Sequence, residues 1–245
     1  MMHLIVDIGN TRTKWAVVAP SEGFVAEGVD EIGEELLDGL MERYPISRAI
    51  ISTTRGEMER EVALLQAKVG YVLPFDAATP LPIAIDYATP ETLGRDRVAA
   101  AVGAQVLYPN RNCLVVDFGT ALTIDLVTAD NTFRGGVISL GLTTRFRALE
   151  YFTAKLPLCT PSEGDAIIGR STREAIEQGV MQSITFELEG YIARHRAKNE
   201  QLCVIFTGGE AKYFVKRIKN TIFAEPNLVF IGLNRILEYN ATKNR

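Results

Sequence analysis

The chain has 245 residues, of which 47% are hydrophobic and 23% charged, and its formal net charge is −4. This composition is typical of a globular protein with a buried core, and the excess of acidic residues argues against a dedicated nucleic-acid-binding protein. Three cysteines without a C-x-x-C pair indicate neither a disulfide framework nor a zinc site. Without a signal-peptide pattern or an apolar run of about 18 residues, we expect a cytoplasmic protein with no membrane partner.

The predicted elements of the first half begin with a hairpin. An apolar run over Leu4 to Ile8 ends in turn-forming residues, and a second strand follows over Thr13 to Val18. Hydrophobic periodicity and proline content predict the elements that follow. These are a helix over 31–44, a strand over 48–52, a helix over 56–69, an irregular connection over 74–90 with four prolines, and an alanine-rich helix over 96–107.

The opening pattern returns in the second half of the chain. Cys113 to Phe118 is again a short apolar strand with an aspartate near its end, a glycine turn follows, and Leu122 to Val127 forms the next strand. This repetition indicates two halves built on one plan. We predict a first half over 1–111 and a second half over 112–245, with the boundary at 108–112.

The rest of the second half alternates between strands and helices, which favours α/β architecture with helices packed on mixed sheets. The last helix is a candidate for packing back on the first half. The predicted elements are a strand over 133–138, helices over 142–154 and 170–196, a strand over 202–206, a helix over 213–219, a strand over 228–231 and a terminal helix over 234–238.

The turn of the first hairpin carries groups that suit a nucleotide triphosphate. Its glycine lets the backbone approach an anion closely, its Asn and Thr side chains donate hydrogen bonds, and Lys14 adds positive charge. Asp7, at the end of the strand, suits a metal ion held directly or through water. The alternative is a tight turn whose residues serve only the turn, and the string is neither a Walker nor a Rossmann loop.

The second hairpin repeats these groups with Asp117, Gly119, Thr120 and Thr123. Phosphoryl transfer depends mainly on positioning and charge neutralisation, so a nucleotide clamped from both sides would suit it. A third glycine turn at Gly208 suits contact with a nucleoside, although a plain strand-to-helix turn has the same pattern. Together the three turns favour nucleotide binding.

The string Gly94 to Arg97 opens the alanine-rich helix. Asp96 lies between two arginines, where a carboxylate is suited to accept the proton of a hydroxyl. Arg97 can pair with a carboxylate or with a transferred phosphate. A capped helix start with solvated arginines explains the same residues without any function.

Six short sequence strings, spread over nearly the whole chain, follow one another in a characteristic order and spacing. They are Asp7 to Thr11, Gly94 to Arg97, Asp117 to Ala121, Gly135 with Gly136, Ser171 to Gly179, and Thr207 to Gly209. In this the chain resembles the type III pantothenate kinases. The resemblance implies the actin-like ATPase fold of the acetate and sugar kinase, Hsp70 and actin superfamily, with two duplicated ribonuclease H-like halves and the nucleotide in the cleft between them. It also implies ATP-dependent phosphorylation of pantothenate to 4'-phosphopantothenate, the first step of coenzyme A biosynthesis.

The resemblance further implies roles for single residues and a homodimer with second-half helices at its interface. Asp96 is the implied general base on the primary hydroxyl of pantothenate. Asp117 is implied to bind a monovalent cation, K⁺ or NH₄⁺, and Asp7 is a candidate for Mg²⁺ through water. The implied ATP-binding residues are Asp7, Ile8, Gly9, Asn10, Thr11, Arg12, Thr13, Lys14 and Thr120. The implied pantothenate-binding residues are Tyr87, Gly94, Arg95, Asp96, Arg97 and Thr172.

One position departs from the family pattern, which has a Pro-Gly pair where this chain has Leu140 and Gly141. Loss of the proline removes a fixed φ and leaves the shape of this loop open.

Two other functions remain as alternatives. One is a regulatory ATP-binding protein on the same scaffold, against which Asp96, Arg97 and Thr172 argue. The other is a kinase for a sugar or another small alcohol, against which only the substrate-side strings argue.

Overall fold

A computed structural model of the chain describes residues 1–164, 166–198, 201–218 and 222–243. Short 3-10 turns lie at Pro90–Thr92 and Ala211–Tyr213. The strands and α-helices, in chain order, are β1 (Met2–Ile8), β2 (Thr13–Ala19), β3 (Gly23–Gly28), α1 (Glu34–Arg43), β4 (Ile46–Thr53), α2 (Glu59–Gln66), β5 (Tyr71–Pro74), β6 (Ala84–Ile85), α3 (Arg95–Leu107), β7 (Cys113–Phe118), β8 (Ala121–Thr128), β9 (Thr132–Leu140), α4 (Leu142–Phe152), α5 (Thr172–Arg196), β10 (Cys203–Thr207), β11 (Phe223–Ala224) and α6 (Leu228–Lys243).

The chain packs into two compact units that are interleaved in sequence. Unit 1 comprises Met1–Pro109, Asn131–Phe133 and Asn227–Arg245, and unit 2 comprises Asn110–Asp130 and Arg134–Pro226. The predicted halves, by comparison, divide the chain once, after residue 111. The difference arises because α6 packs on α3, β1 and β4, and because the start of β9 pairs with β6.

Each unit is built around a sheet with the same strand order. In unit 1 the order is β3-β2-β1-β4-β5, with β1 antiparallel to β2 and parallel to β4. In unit 2 the order is β9-β8-β7-β10-β11, with β7 antiparallel to β8 and parallel to β10. The prediction of two halves on one plan is therefore confirmed by the topology.

The central strands of both sheets are buried, which explains why they read as continuous apolar runs. In unit 1, Leu4, Val6, Val17 and Ile51 share a core with Leu37 of α1. Unit 2 has a separate core made by β7, β8 and β10 with α4 and α5. Even α5, with 25 residues, is mixed in polarity, and no helix in the described residues is long and apolar enough to cross a membrane.

Two predicted elements are wrong. Residues 228–231 begin α6 instead of forming a strand, and Leu228, Leu233, Ile236 and Leu237 of this helix are fully buried. A run of four apolar residues cannot separate the helical from the extended period, so the prediction followed its β-branched content. The helix predicted over 213–219 is absent from the described residues: Tyr213 ends the 3-10 segment and residues 214–217 form turns, while residue 219 lies outside the described residues.

Candidate active site

The turn between β1 and β2 is held by backbone hydrogen bonds from two sides. Gly9 N donates to Arg12 O at 3.0 Å, which closes the turn. Beyond β4, Thr54 N donates to Ile8 O at 3.0 Å, and Arg55 Nε donates to Gly9 O at 2.7 Å. Ile8 and Thr13 pair at the end of the hairpin, and both side chains are buried. These two residues therefore offer only backbone groups to the turn. The side chains left exposed around the turn are those of Asn10, Thr11, Arg12 and Lys14.

Asp7 lies in one row with residues of the two neighbouring strands. It is in register with Lys14 across β1 and β2, and with Ser52 across β1 and β4. Residues in register on adjacent strands point to the same face of a sheet, so a carboxylate, an amine and a hydroxyl stand side by side here. Ser52 is fully buried, and its Oγ has no hydrogen-bond partner among the described residues.

Asp96 lies in the first turn of α3 and is partly exposed. Its Oδ1 accepts a hydrogen bond from Arg97 N at 2.8 Å, and the N-terminus of a helix stabilises negative charge. A Cβ on Gly94 would lie 2.5 Å from Asp96 Oδ1. The glycine that precedes the helix therefore gives the carboxylate its room.

Arg95 uses its guanidinium on the protein itself. Its Nε donates to Leu93 O at 2.9 Å and its Nη2 donates to Pro90 O at 2.8 Å, while Cζ lies 5.8 Å from the ring centroid of Phe75. Burial lowers the pKa of Arg95, and the charges of Asp76 and Asp96 act in the opposite direction. These contacts brace the 3-10 turn that leads into α3.

Arg97 is 7% exposed and lies against two aromatic rings. Its Cζ is 5.8 Å from the ring centroid of Tyr87 and 5.6 Å from that of Phe133, and the two rings meet edge to face at 6.0 Å. Such contacts hold a guanidinium in one orientation. Tyr87 and Arg97 were predicted from the sequence, whereas Phe133 was missed because its place depends on the pairing of β6 with β9.

In unit 2, the turn between β7 and β8 is closed by the start of α4. Thr120 O accepts hydrogen bonds from Gly141 N at 3.1 Å and from Thr144 Oγ1 at 2.7 Å. A Cβ on Gly141 would lie 2.1 Å from Gly119 O, so no other residue fits this position without a shift. Leu140, where the resemblance leads us to expect a proline, is half exposed, and its carbonyl accepts a hydrogen bond from Arg145 Nε at 2.8 Å.

The third glycine turn lies against the second one within unit 2. Gly208 has a φ of +88°, and a Cβ there would lie 2.4 Å from Asp117 Oδ1 and 2.6 Å from Phe118 O. Glu210 N donates to Phe118 O at 3.4 Å, and Glu210 Oε1 accepts a hydrogen bond from Thr143 Oγ1. The sequence indicated the two turns separately, and the pairing of β7 with β10 brings them together.

Thr172 is the first residue of α5, and its side chain is exposed. The preceding Ser171 accepts a hydrogen bond from Glu174 N at 3.2 Å, and Glu174 Oε2 accepts one from Arg170 N at 2.7 Å. The first bond is the N-cap bond of the helix, and the second holds the residue before the N-cap, so together they fix the start of α5.

The predicted site residues thus fall into two sets, each described within its own unit. Unit 1 holds the first turn, the start of α3 and Tyr87, and unit 2 holds Asp117, Thr120 and Thr172. Within the described ranges, no three His, Cys, Asp or Glu side chains form a group able to hold a metal ion.

Two sheets on one plan define the fold of the actin-like ATPases and sugar kinases. A ROK family glucokinase from Streptomyces griseus, in complex with glucose and AMPPNP, is 12% identical with a TM-score of 0.55, covering 98% of this chain and 100% of that chain. An activator of 2-hydroxyisocaproyl-CoA dehydratase from Clostridium difficile, with bound ADPNP, is 13% identical with a TM-score of 0.57, covering 100% and 97%. At these identities the likeness shows the fold alone.

The sequence comparison is more specific than the fold. The family model of the type III pantothenate kinases matches residues 3–194. The type III pantothenate kinase of Azobacteroides pseudotrichonymphae is 40% identical over 238 residues, which cover 97% of this chain and 97% of the relative. The chain belongs to the type III pantothenate kinase family.

Proposed function

We propose that this protein transfers the γ-phosphoryl group of ATP to pantothenate, which gives 4'-phosphopantothenate and ADP in the first step of coenzyme A biosynthesis. Family membership over nearly the whole chain carries the proposal. The arrangement of Asp96, Arg97 and Tyr87 around the start of α3 supports the substrate side.

In the proposed transfer, the primary hydroxyl oxygen of pantothenate forms a bond to the γ-phosphorus while the bond from that phosphorus to the β,γ-bridging oxygen breaks. ADP leaves with the electron pair of the broken bond, and Asp96 takes the hydroxyl proton. An alkoxide is far too basic for a carboxylate to form early, so the proton moves late. Asp96 therefore acts first by orienting the hydroxyl, since catalysis of this reaction is mainly positioning and charge stabilisation.

The substrate contacts are proposed for Tyr87, Gly94, Arg95, Arg97 and Thr172. Arg97 supports this best, because its guanidinium is held on two rings and a fixed planar fork pairs well with a carboxylate or a phosphate. Arg95 supports it indirectly, since its hydrogen bonds brace the turn before α3.

For ATP, the proposed contacts are the first turn of unit 1 and Thr120 of unit 2. The exposed Asn10, Thr11, Arg12 and Lys14 offer donors and positive charge at the first turn. The carboxylate of Asp7 is an oxygen ligand of the kind that Mg²⁺ takes directly or through water. When bound, Mg²⁺ neutralises charge on the phosphates.

Asp117 is proposed to hold the monovalent cation, K⁺ or NH₄⁺. A Cβ on Gly208 would meet both Asp117 Oδ1 and the carbonyl oxygen of Phe118, so these two oxygens lie around one point that the glycine leaves without a side chain. Oxygen donors of this kind fit a hard cation. A bound cation supplies positive charge beside the second turn.

A homodimer is proposed from the surface of unit 2. Arg145 links β9, α4 and α5 through hydrogen bonds to Ser139 and Ser183 and an ion pair with Glu187. Large apolar side chains are exposed on these same three elements, and apolar surface of this kind supports an interaction site. They are Ile138, Leu140, Tyr151, Phe152 and Phe186.

Three further expectations stay predictions. They are the functional division into 1–111 and 112–245, the cytoplasmic location, and the absence of nucleic-acid and membrane partners.

One assay tests the proposed reaction against its alternatives. Purified protein with ATP, Mg²⁺ and K⁺ is given either pantothenate or a panel of sugars, and ADP release is coupled to NADH oxidation. We expect turnover with pantothenate alone. Turnover confined to a sugar would assign a different kinase activity, and ATP binding without turnover of any acceptor would favour a regulatory protein.

A further inference from the structure

The segment that follows β4 places a cationic side chain at the first phosphate turn. Arg55 Nε donates to Gly9 O at 2.7 Å, and Arg55 N donates to Thr53 Oγ1 at 3.0 Å. Thr54 adds hydrogen bonds to Ile8 O from its backbone N at 3.0 Å and from its Oγ1 at 3.3 Å. Residues 53–55 are thereby fixed against the backbone of the turn, although they are far from it in sequence.

The guanidinium of Arg55 donates one hydrogen bond to the protein, through Nε, and its other N–H groups are left for solvent or a ligand. Its side chain is exposed, and Nη1 and Nη2 make no hydrogen bond or ion pair with the described part of the chain. In Arg95 and Arg145, by contrast, all three guanidinium nitrogens donate hydrogen bonds to protein oxygens. A guanidinium held only through Nε presents its two terminal amino groups as a planar fork, which matches the oxygens of a phosphate.

Ser52 gives a second observation at the same end of β4. Its hydroxyl is fully buried and without a partner in the described residues, and it stands in register with Asp7. A buried polar group without a partner is uncommon and calls for an explanation, such as a bound water or ion. The end of β4 therefore offers one cationic and one hydroxyl group beside the first turn.

We propose that Arg55 binds the β- and γ-phosphates of ATP and, through Gly9 O, positions the first phosphate turn. The proposal rests on the proposed function. It adds to the ATP-binding residues an arginine that lies outside the sequence of the first hairpin turn. Arg55 adds its charge to those of Arg12 and Lys14, so the turn presents three cationic side chains to a polyphosphate. The bond to Gly9 O keeps the guanidinium at the turn before the nucleotide arrives, which lowers the entropy cost of binding.

The test is a titration of the full-length protein with a non-hydrolysable ATP analogue and, separately, with AMP. Arg55→Gln removes the charge and keeps an amide donor for Gly9 O, and Arg55→Lys keeps the charge without the fork. Arg60→Gln, at an exposed position on α2, is the matched control. We expect Arg55→Gln to raise the Kd of the ATP analogue roughly 10- to 100-fold, with a smaller effect for Arg55→Lys and none for Arg60→Gln. The Kd of AMP and the KM of pantothenate stay within about twofold, because neither molecule carries the β- and γ-phosphates that the guanidinium would bind.

Equal affinities of Arg55→Gln and Arg60→Gln for the ATP analogue would overturn the proposal. An equal loss of affinity for AMP and for the ATP analogue would also overturn it, because that result indicates a distorted site. If the wild type does not phosphorylate pantothenate but Arg55→Gln still weakens only the ATP analogue, the proposed substrate is wrong and the role of Arg55 stands. If the wild type and Arg55→Gln turn over pantothenate with the same KM for ATP, the role of Arg55 is wrong and the proposed function stands.

Discussion

Gly103 of α3 and Gly232 of α6 meet where the two helices cross. A Cβ on Gly103 would lie 2.3 Å from Leu228 O, and a Cβ on Gly232 would lie 1.8 Å from Ala99 O. The two helix backbones therefore touch with no side chain between them. Because Asp96 lies in the first turn of α3, this contact fixes the helix that carries the proposed general base.

The first prediction concerns this crossing. Gly232→Ala forces α3 and α6 apart, and we expect it to lower the free energy of unfolding by roughly 2 to 3 kcal/mol, the cost of overpacking a close contact. Gly190→Ala in α5 is the control, because a Cβ there meets no described atom within 4 Å. It should raise stability by about 0.5 to 1 kcal/mol through helix propensity. Urea unfolding measures both, and equal stabilities of the two variants would contradict the close contact.

The second prediction concerns the proposed general base. Asp96→Asn keeps the oxygen that accepts from Arg97 N and removes the proton acceptor, so kcat should fall roughly 10²- to 10⁴-fold. The Kd of an ATP analogue should stay unchanged, since Asp96 acts on the hydroxyl of the acceptor. Glu91→Gln, at an exposed position in the 3-10 turn before α3, is the control. Near-normal turnover by Asp96→Asn would remove this residue from the proposed mechanism.

The third prediction concerns the contact of Gly208 with Asp117. Gly208→Ala requires an L-residue at a φ of +88° and a Cβ 2.4 Å from Asp117 Oδ1. We expect a loss of roughly 1 to 3 kcal/mol of stability and a weaker activation by K⁺. Gly209→Ala is a neighbouring control, because a Cβ there meets no described atom within 4 Å. Thermal unfolding and a K⁺ titration of turnover measure the two effects, and matching behaviour of both variants would argue against the cation site.

The fourth prediction concerns the apolar surface of unit 2. Phe152 is 80% exposed on α4, and Phe152→Glu should convert a dimer into monomers at micromolar concentration. Val29, which is 53% exposed in unit 1, offers the control Val29→Glu. Light scattering after size exclusion gives the mass of each variant. A wild-type monomer under the same conditions would contradict the proposed homodimer.

The elements that could be predicted from the sequence are those whose signal is local. The two hairpins carry apolar runs that end in turn residues, and the alanine-rich α3 was predicted over 96–107 and begins one residue earlier. The strand predicted over 228–231 was wrong because only the burial of Leu233, Ile236 and Leu237 reveals the helical period.

The parts of the candidate site that sequence reasoning missed depend on long-range pairing. Phe133 reaches Arg97 because β9 pairs with β6, and Arg55 reaches Gly9 because β4 runs parallel to β1. No spacing in the chain predicts either contact. One signal was present for Arg55, since neighbouring parallel strands end at the same edge of a sheet and the residues just beyond β4 therefore follow the first turn in space.

The return of α6 to unit 1 has a consequence for the order of synthesis. The helix packs on β1, β4 and α3, yet it leaves the ribosome only after every residue of unit 2. Until then, the sheet of unit 1 lacks one of its covering layers, and Ala99 to Gly103 of α3 lack the surface they touch. The packing of unit 1, although most of its residues are made first, is thus complete only when α6 has been released.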